Sequence, residues 1–327
     1  MKRRTFVAAA SAAAAGAALP ISVLAQSWPT KTITWIYPYP AGGGADPLAR
    51  TLAELVGRRL GQSIIVDNRA GASGMIGAAA VAKAPPDGYT FLVCVSTEIV
   101  INPWLYKKMA YDPQRDFAPV CRLTTLPLAL VASTQSGIAN IGDLITRAKA
   151  APGRITYASA GAGSLQHLAG ELLQRTASIR LTHVPYRGIA AATTDLLGGT
   201  VDVGFVGLST ALPHVQAGKL VGLGLSTAKP VAAAPSIRPL ASFESIGSFD
   251  LTQWFGLLAP AATPAPIIDR MYREVAAVMQ EPEVRNRVAA QGLEPALLPP
   301  SEFGEFVRDE RERFGRIVRD ANITIEQ

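Results

Sequence analysis

One stretch near the start of the chain constrains the fold more than any other, because it prescribes a strand, a turn and a helix in succession. Residues 33–38 are apolar and β-prone, and prolines end the run. The glycines at 42–44 can adopt backbone angles that a side chain forbids. Asp46 then stands at the expected N-cap and Pro47 at the first helical position. Leucines at helical spacing continue to Gly61, where the helix is predicted to end.

The same arrangement occurs a second time later in the chain. ITYA at 155–158 predicts a strand, SAGAG at 159–163 a loop, and Ser164 the cap of a leucine-rich helix. A glycine loop that leads into a helix presents free backbone N–H groups and the positive end of the helix dipole. One such loop is consistent with an ordinary turn in which glycines only make the corner. Two copies favour a pair of anion-binding loops.

Strands alternate with helices through most of the chain, which is typical of parallel sheets with right-handed crossovers. We expect an α/β fold with two doubly wound lobes, joined by two crossing strands in the apolar runs 126–132 and 251–258. Ligands of such sheets gather at the carboxyl ends of the strands. Ser96 and Thr97 follow the third strand, so they belong to the same predicted cleft as the first glycine loop.

The crossing strands define the predicted domain boundaries. One lobe comprises residues 26–127 and 256–327, and the other comprises residues 128–255. Within the first lobe, 98–125 is predicted to be irregular. Three amphipathic helices, expected at 267–280, 282–291 and 301–320, should pack on the first lobe.

Residues 1–25 have the pattern of a secretory signal peptide, with a basic start, an alanine-rich apolar run and small residues before Gln26. Cleavage is expected after Ala25, and the adjacent arginines leave both the Sec and the Tat route open. A retained membrane anchor is the alternative. Removal of the segment lowers the formal net charge from +6 to +3. With no basic cluster between aromatic residues, we predict a periplasmic protein that binds no nucleic acid.

The cysteines and histidines carry little additional information. Cys94 and Cys121 lie in apolar, strand-like runs of an exported chain, so they are either a disulfide or two buried thiols. The three histidines have no metal-ligand spacing. We therefore predict no metal and no cofactor.

Two enzyme classes were weighed against a binding protein. An exported hydrolase of small esters or amides would use Ser164 with His167, but no G-x-S-x-G elbow occurs. We expect His167 to be a surface or packing residue, His183 to be structural, and Asp46 to act as a cap rather than a base. A dinucleotide-dependent oxidoreductase needs G-x-G-x-x-G, which neither loop contains.

Several short segments, in a fixed order over the whole mature chain, carry a resemblance to a known family. They are Pro29 with AGGGAD at 41–46, VDNRAGA at 66–72, PDGYT at 86–90, DFAPV at 116–120, YASAG at 157–161, HVPYRG at 183–188 and WFGLLAP at 254–260. The chain resembles the Bug receptors, which are the extracytoplasmic, TctC-like solute-binding proteins of tripartite tricarboxylate transporters. The resemblance implies a type II-like periplasmic binding protein fold, monomeric, that holds a small carboxylate between its lobes for the membrane subunits of such a transporter.

The resemblance also implies which segments grip the carboxylate. They are those matching 39–46 and 159–164, with 205–209 on the far side. Val206 stands where many members of the family carry an acidic residue, which predicts a ligand without an amine. Tyr186 is a further aromatic candidate for stacking on the ligand. The predicted ligand-binding residues are Tyr39, Ala41, Gly42, Gly43, Asp46, Ser96, Thr97, Ser159, Ala160, Gly161, Ser164, Tyr186, Phe205, Val206 and Ser209.

Overall fold

A computed structural model describes residues 28–42, 44–320 and 323. The predicted signal peptide at 1–25 and the loop residue Gly43 lie outside these residues. The first part of the chain alternates strands and helices as expected. Its elements are β1 (Ile33–Tyr37), α1 (Asp46–Leu60), β2 (Ile64–Asn68), α2 (Met75–Ala82), β3 (Thr90–Val95) and α3 (Asn102–Leu105).

The strand β4 (Phe117–Ser133) is much longer than the run predicted for it. The prediction that 98–125 is irregular was wrong. A π-helical turn at Thr97–Ile101 leads into α3, and β4 occupies the end of the segment. Backbone pairing with β9, and with β10 at residues 122–125, makes this segment a strand, which its local sequence pattern did not indicate.

The second lobe repeats the alternation with parallel pairing of β5 to β6 and β7. The elements are α4 (Ile141–Ala150), β5 (Thr156–Ser159), α5 (Leu165–Thr176), β6 (Thr182–Pro185), α6 (Ile189–Gly198), β7 (Val203–Gly207), α7 (Leu208–Gln216) and β8 (Leu220–Leu225). The helices alternate with the strands and pack on the sheet: α5 contacts β5, β6 and β7, α6 contacts β4, β5 and β7, and α7 contacts β4, β7 and β8.

The chain then returns to the first lobe through β9 (Thr252–Pro260). The three C-terminal helices pack on the first lobe, as predicted: α8 contacts α1 and β4, α9 contacts α1 and α10 contacts β4. A short strand pairs with β4 between the last two helices. These elements are α8 (Ala265–Gln280), α9 (Pro282–Ala290), β10 (Glu294–Leu298) and α10 (Pro300–Asp320).

The strand order is β2-β1-β3-β9-β4-β7-β5-β6, with β8 and β10 also on β4. β4 pairs with β9 up to Pro127 and with β7 from Leu128 onward, so its partners change from one lobe to the other at that point. β9 already pairs within the first lobe from Thr252. The exact domain boundaries stay predictions, but the change of partners identifies β4 as a crossing strand.

Cys94 and Cys121 are free, buried thiols on two different strands that flank β9. The two cysteines were expected to form either a disulfide or two buried thiols, and the structure contains the two buried thiols. Burial raises the pKa of both well above the ordinary value, which keeps them neutral. None of the described helices combines the length and apolar character that a membrane-spanning segment needs.

Candidate functional site

The first glycine loop lies at the carboxyl end of β1, and Ala41, Gly42 and Gly44 are exposed there. Asp46 is the first residue of α1, and the N-cap position belongs to Ala45, which has no side-chain cap hydrogen bond. Its carboxylate instead accepts the Gly42 N–H at 2.9 Å and two hydrogen bonds from Arg50 at 3.0 and 3.2 Å. Asp46 therefore shapes the loop from behind.

These bonds determine the charge of Asp46. Its side chain is almost fully buried, and burial alone would raise its pKa, but Arg50, the Gly42 N–H and Asn68 outweigh burial and hold the pKa below the ordinary value. Asn68 also donates to the Tyr39 carbonyl at 3.0 Å. The carboxylate is thus an ionised anchor. The prediction that Asp46 caps α1 was wrong, because the loop and Arg50 take up its oxygen atoms.

Tyr39, Thr97 and Glu98 meet at the same edge. The Tyr39 hydroxyl lies 2.9 Å from Glu98 Oε2 and is also hydrogen-bonded to Thr97. The structure thus brings together two of the predicted residues, from β1 and β3. Sequence analysis missed Glu98, although an acidic residue inside the apolar run VSTEIVI directly after a strand was a usable signal. Ser96 is fully buried, and its hydroxyl has no hydrogen-bond partner among the described residues.

The loop between β2 and α2 was also missed as part of this edge. Ala72 and Ser73 have φ of 48° and 51°, the left-handed region that non-glycine residues rarely occupy. Asn102 Nδ2 donates to the Ser73 carbonyl at 2.9 Å and stabilises this conformation. A Cβ at Gly74 would lie 3.0 Å from the Tyr39 hydroxyl. Three strand ends of the first lobe therefore meet around Tyr39.

The second loop is built as predicted, with Ser164 as the cap of α5. Its hydroxyl accepts the His167 N–H at 3.3 Å and donates to the Gly161 carbonyl at 2.7 Å. Tyr186 N–H donates to the Ser159 carbonyl at 3.1 Å, and Gly188 N–H donates to that of Ala160 at 3.2 Å. The predicted residues of this loop and Tyr186 thus lie together at the carboxyl end of β5.

The stacked rings of Tyr157, His183 and His167 lie against this loop. His183 lies 4.1 Å from the His167 ring and 4.8 Å from the Tyr157 ring, centroid to centroid. His167 Nδ1 accepts the Gly163 N–H at 3.1 Å, and His183 Nε2 lies 2.7 Å from Ser159 Oγ. His167 is accordingly a packing residue, the second of the two roles considered for it, and His183 is structural. Burial lowers the pKa of both, and His167 adds to the effect on His183.

The His183 stack predicts loss of stability in acid. An unfolded His183 takes up a proton below pH 6.5, whereas in the folded protein its pKa is lowered to about 4. Between these values the unfolded state binds more protons, so the free energy of unfolding falls as the pH falls from 6.5 to 4. We expect a loss of about 2 kcal/mol, allowing for the partial exposure of His183. Urea denaturation at several pH values across this range measures the loss. If the free energy of unfolding of His183→Gln depended on pH as strongly as that of the wild type, the assignment to His183 would be refuted.

The remaining predicted residues lie at the end of β7. Phe205 and Val206 are fully buried and pair with Leu130 and Ala129 of β4. Phe205 stacks on Phe249 at 5.8 Å, while Val206 packs with the apolar cluster on the other face of the sheet. Their roles in ligand binding stay predictions, as does that of Ser209.

Ser209 marks a contact between the lobes. A Cβ added at Gly292, in the turn between α9 and β10, would lie 2.2 Å from Ser209 Cβ. The backbone of the first lobe therefore touches the start of α7 in the second lobe. The contact is directly beside the point at which β4 changes partners.

The edges of both lobes carry hydroxyl groups and glycine-containing loops that lead into helices. Among the described residues no group of histidine, cysteine and acidic side chains could hold a metal ion. Hydroxyl groups and the backbone at the start of a helix suit a small anion that is held by hydrogen bonds.

Comparisons with known proteins agree with this architecture. The model for the tripartite tricarboxylate transporter family receptor, TctC, matches residues 48–323. BugT of Bordetella pertussis (strain Tohama I) is 33% identical over 309 residues, which cover 94% of each chain. A UPF0065 protein of Pseudomonas sp. (strain P51) is 33% identical over 302 residues, covering 92% of this chain and 90% of that protein.

Solved structures show the same relationship. R. palustris Rpa4515 with adipate has a TM-score of 0.85 and 31% identity, covering 91% of this chain and 100% of that one. MatC from Rhodopseudomonas palustris with bound malate has a TM-score of 0.79 and 29% identity, covering 89% and 99%. The two-lobed fold is thereby confirmed. The chain belongs to the tripartite tricarboxylate transporter receptor family, TctC, as the resemblance in its sequence predicted.

Proposed function

We propose that this protein is a periplasmic solute-binding receptor that captures a small carboxylate without an amine between its lobes. The observation that carries the proposal is the pair of loops at 39–46 and 159–164, each at the carboxyl end of a strand and at the start of a helix. Hydrogen bonds to a carboxylate contribute roughly 1–3 kcal/mol each. Several of them, with burial of the ligand body, reach the roughly 8 kcal/mol that micromolar binding requires.

The ligand class follows from the chemistry of the two edges and from the relatives. Two similar structures contain adipate and malate, which are dicarboxylates without an amine. Val206 is apolar and buried, so position 206 offers no charge to a ligand ammonium. The partners that we propose are the membrane subunits of a tripartite transporter, with the receptor as a monomer that needs no cofactor and binds no nucleic acid.

One observation favours the alternative, an exported hydrolase of small esters or amides. Ser159 Oγ lies 2.7 Å from His183 Nε2, the geometry of a nucleophile and its base. Against it, burial lowers the pKa of His183 to about 4, which makes a poor base at neutral pH. Ser159 is also fully buried and hydrogen-bonded within its own loop. We therefore propose that the protein binds its ligand and does not catalyse a reaction on it.

A binding screen of the mature protein tests the proposal. The panel is adipate, malate, adipamide and aspartate, with thermal shift and calorimetry as readouts. A carboxylate at 100 times its dissociation constant is expected to stabilise the protein by about 2.7 kcal/mol. Neither adipamide nor aspartate should do so. Stabilisation by aspartate alone would refute the prediction from Val206, and turnover of an ester or amide would replace the receptor with the hydrolase.

Ser164→Ala tests the second loop within the same screen. Loss of the cap is expected to lower the free energy of unfolding by about 1 kcal/mol and to weaken carboxylate binding. Asn140→Ala is the matched control, because Asn140 caps α4 by accepting the Asp143 N–H at 3.0 Å. Asn140 follows β4, which runs antiparallel to β7, so this cap lies at the opposite edge of the sheet. Equal loss of affinity in both variants would contradict the assignment of Ser164.

A further inference from the structure

Glu98 is a buried acid that joins three segments of the first lobe's binding edge. Its side chain is 0% exposed. Oε1 accepts the Val95 N–H at 2.5 Å, and Oε2 lies 2.9 Å from the Tyr39 hydroxyl. A Cβ at Gly74 would lie 2.9 Å from the same Oε2. One carboxyl therefore bonds the end of β3 to the β1–α1 loop and lies against the β2–α2 loop.

The surroundings of Glu98 oppose a negative charge. The titratable groups that interact electrostatically with Glu98 are Tyr39, Tyr37, Tyr111 and Cys94, and all four are neutral near pH 7. Asp46, which also acts on Tyr37, is negative, and its counter-charge Arg50 is bound to it and to Asn68. Burial raises the pKa of Glu98 to about 8, and hydrogen bonds from Val95 and Tyr39 offset this only in part.

The proton position decides what Tyr39 can do. Because Oε1 accepts the Val95 N–H, a proton on neutral Glu98 belongs on Oε2, where it can be donated to the Tyr39 oxygen. Thr97, whose hydrogen bond lowers the pKa of Tyr39, also donates to the Tyr39 oxygen, so the Tyr39 hydroxyl proton remains for another acceptor. When Glu98 is ionised, Tyr39 must donate to it instead. Tyr39 is a half-buried residue of the predicted binding loop, and a ligand that reaches its hydroxyl meets opposite hydrogen-bonding partners in the two states.

We infer that Glu98 is a positioning residue that must carry a proton for a carboxylate to bind, because neutral Glu98 frees the Tyr39 hydroxyl to donate to the ligand. The inference rests on the proposed function. It follows that an ionised Glu98 both removes this donor and adds a second negative charge at the same edge. Capture of the anion is thereby coupled to proton uptake from solvent by the receptor.

Calorimetric titration of adipate, or of malate where adipate gives no thermal shift, tests the coupling at pH 7 and pH 9. The wild-type affinity should fall about tenfold, because the protonated fraction falls from roughly nine-tenths to roughly one-tenth. The affinity of Glu98→Gln, whose amide donates permanently, should be the same at both pH values. At pH 8, titrations in buffers of different ionisation enthalpy should show uptake of about half a proton per ligand by the wild type. Tyr39→Phe should bind more weakly at pH 7 and keep only the part of the pH dependence that the negative charge of Glu98 causes.

The outcomes separate the inference from the function on which it rests. Wild-type binding that is equal at pH 7 and pH 9, without proton uptake, overturns the inference and leaves the receptor in place. An equal fall in the wild type and Glu98→Gln assigns the proton to another group and overturns it as well. Absence of carboxylate binding at every pH overturns the proposed function, and the inference with it. The buffer experiment needs no variant, so it tests for proton uptake even where Glu98→Gln misfolds, and Tyr39→Phe then tests the assignment to Glu98.

Discussion

Replacement of Phe303 by alanine is expected to lower the free energy of unfolding by about 3–5 kcal/mol. Phe303 lies on α10, is 0% exposed and packs on β9. Its ring meets that of Trp254 edge to face at 5.5 Å, and a Cβ at Gly256 would lie 2.4 Å from its Cζ. Because the glycine and the ring fill one space, truncation leaves a cavity between the C-terminal helix and the strand that returns from the second lobe.

Phe306→Ala is the matched control, since Phe306 is on the same helix and its ring meets that of Trp254 at 5.6 Å. Phe306 is only partly buried, so less apolar surface returns to water and we expect a loss of about 1–2 kcal/mol. Urea denaturation of both variants measures the difference. Equal losses would show that the burial of Phe303 against Gly256 contributes nothing.

Gly292→Ala is expected to lower the free energy of unfolding by about 2–5 kcal/mol, because two penalties act at one position. Gly292 has φ of +63°, which is unfavourable for alanine by roughly 1–2 kcal/mol. The new methyl group would also lie 2.2 Å from Ser209 Cβ and 2.5 Å from Ser209 Cα, an overpacking that typically costs about 1–3 kcal/mol. The backbone cannot yield by rotating a side chain, so relief requires the first lobe to move away from α7.

Gly247→Ala is the control that carries the backbone penalty alone. Gly247 has φ of +67°, and an added Cβ there meets nothing within 4 Å. It should therefore show only the backbone cost, about 1–2 kcal/mol. Denaturation gives the stabilities, and small-angle scattering should detect a larger radius of gyration in Gly292→Ala alone. Identical behaviour of the two variants would mean that the contact between Gly292 and Ser209 does not hold the lobes together.

Local signals in the sequence predicted what depends on near neighbours. Ser164 caps α5 as expected, because a cap needs only its own hydroxyl and the N–H three residues ahead. Asp46 has the same signal but a different role, since Gly42, Arg50 and Asn68 reach its oxygens first. Asn68 is distant from Asp46 in the sequence, so local helix-capping preferences could not predict this contact.

The sequence by itself determined the α/β alternation, the two strand–loop–helix units and the family. These follow from periodicity, glycine placement and motifs that are legible over a few residues. Only the tertiary structure decided that β4 begins at Phe117, because pairing with β9 and β10 stabilises a segment whose local sequence pattern did not indicate a strand. Only it placed Glu98 against Tyr39 and His183 beneath Ser159. Contacts between separate strand ends depend on sheet order and register, and burial together with hydrogen bonds then determines the charge of each group.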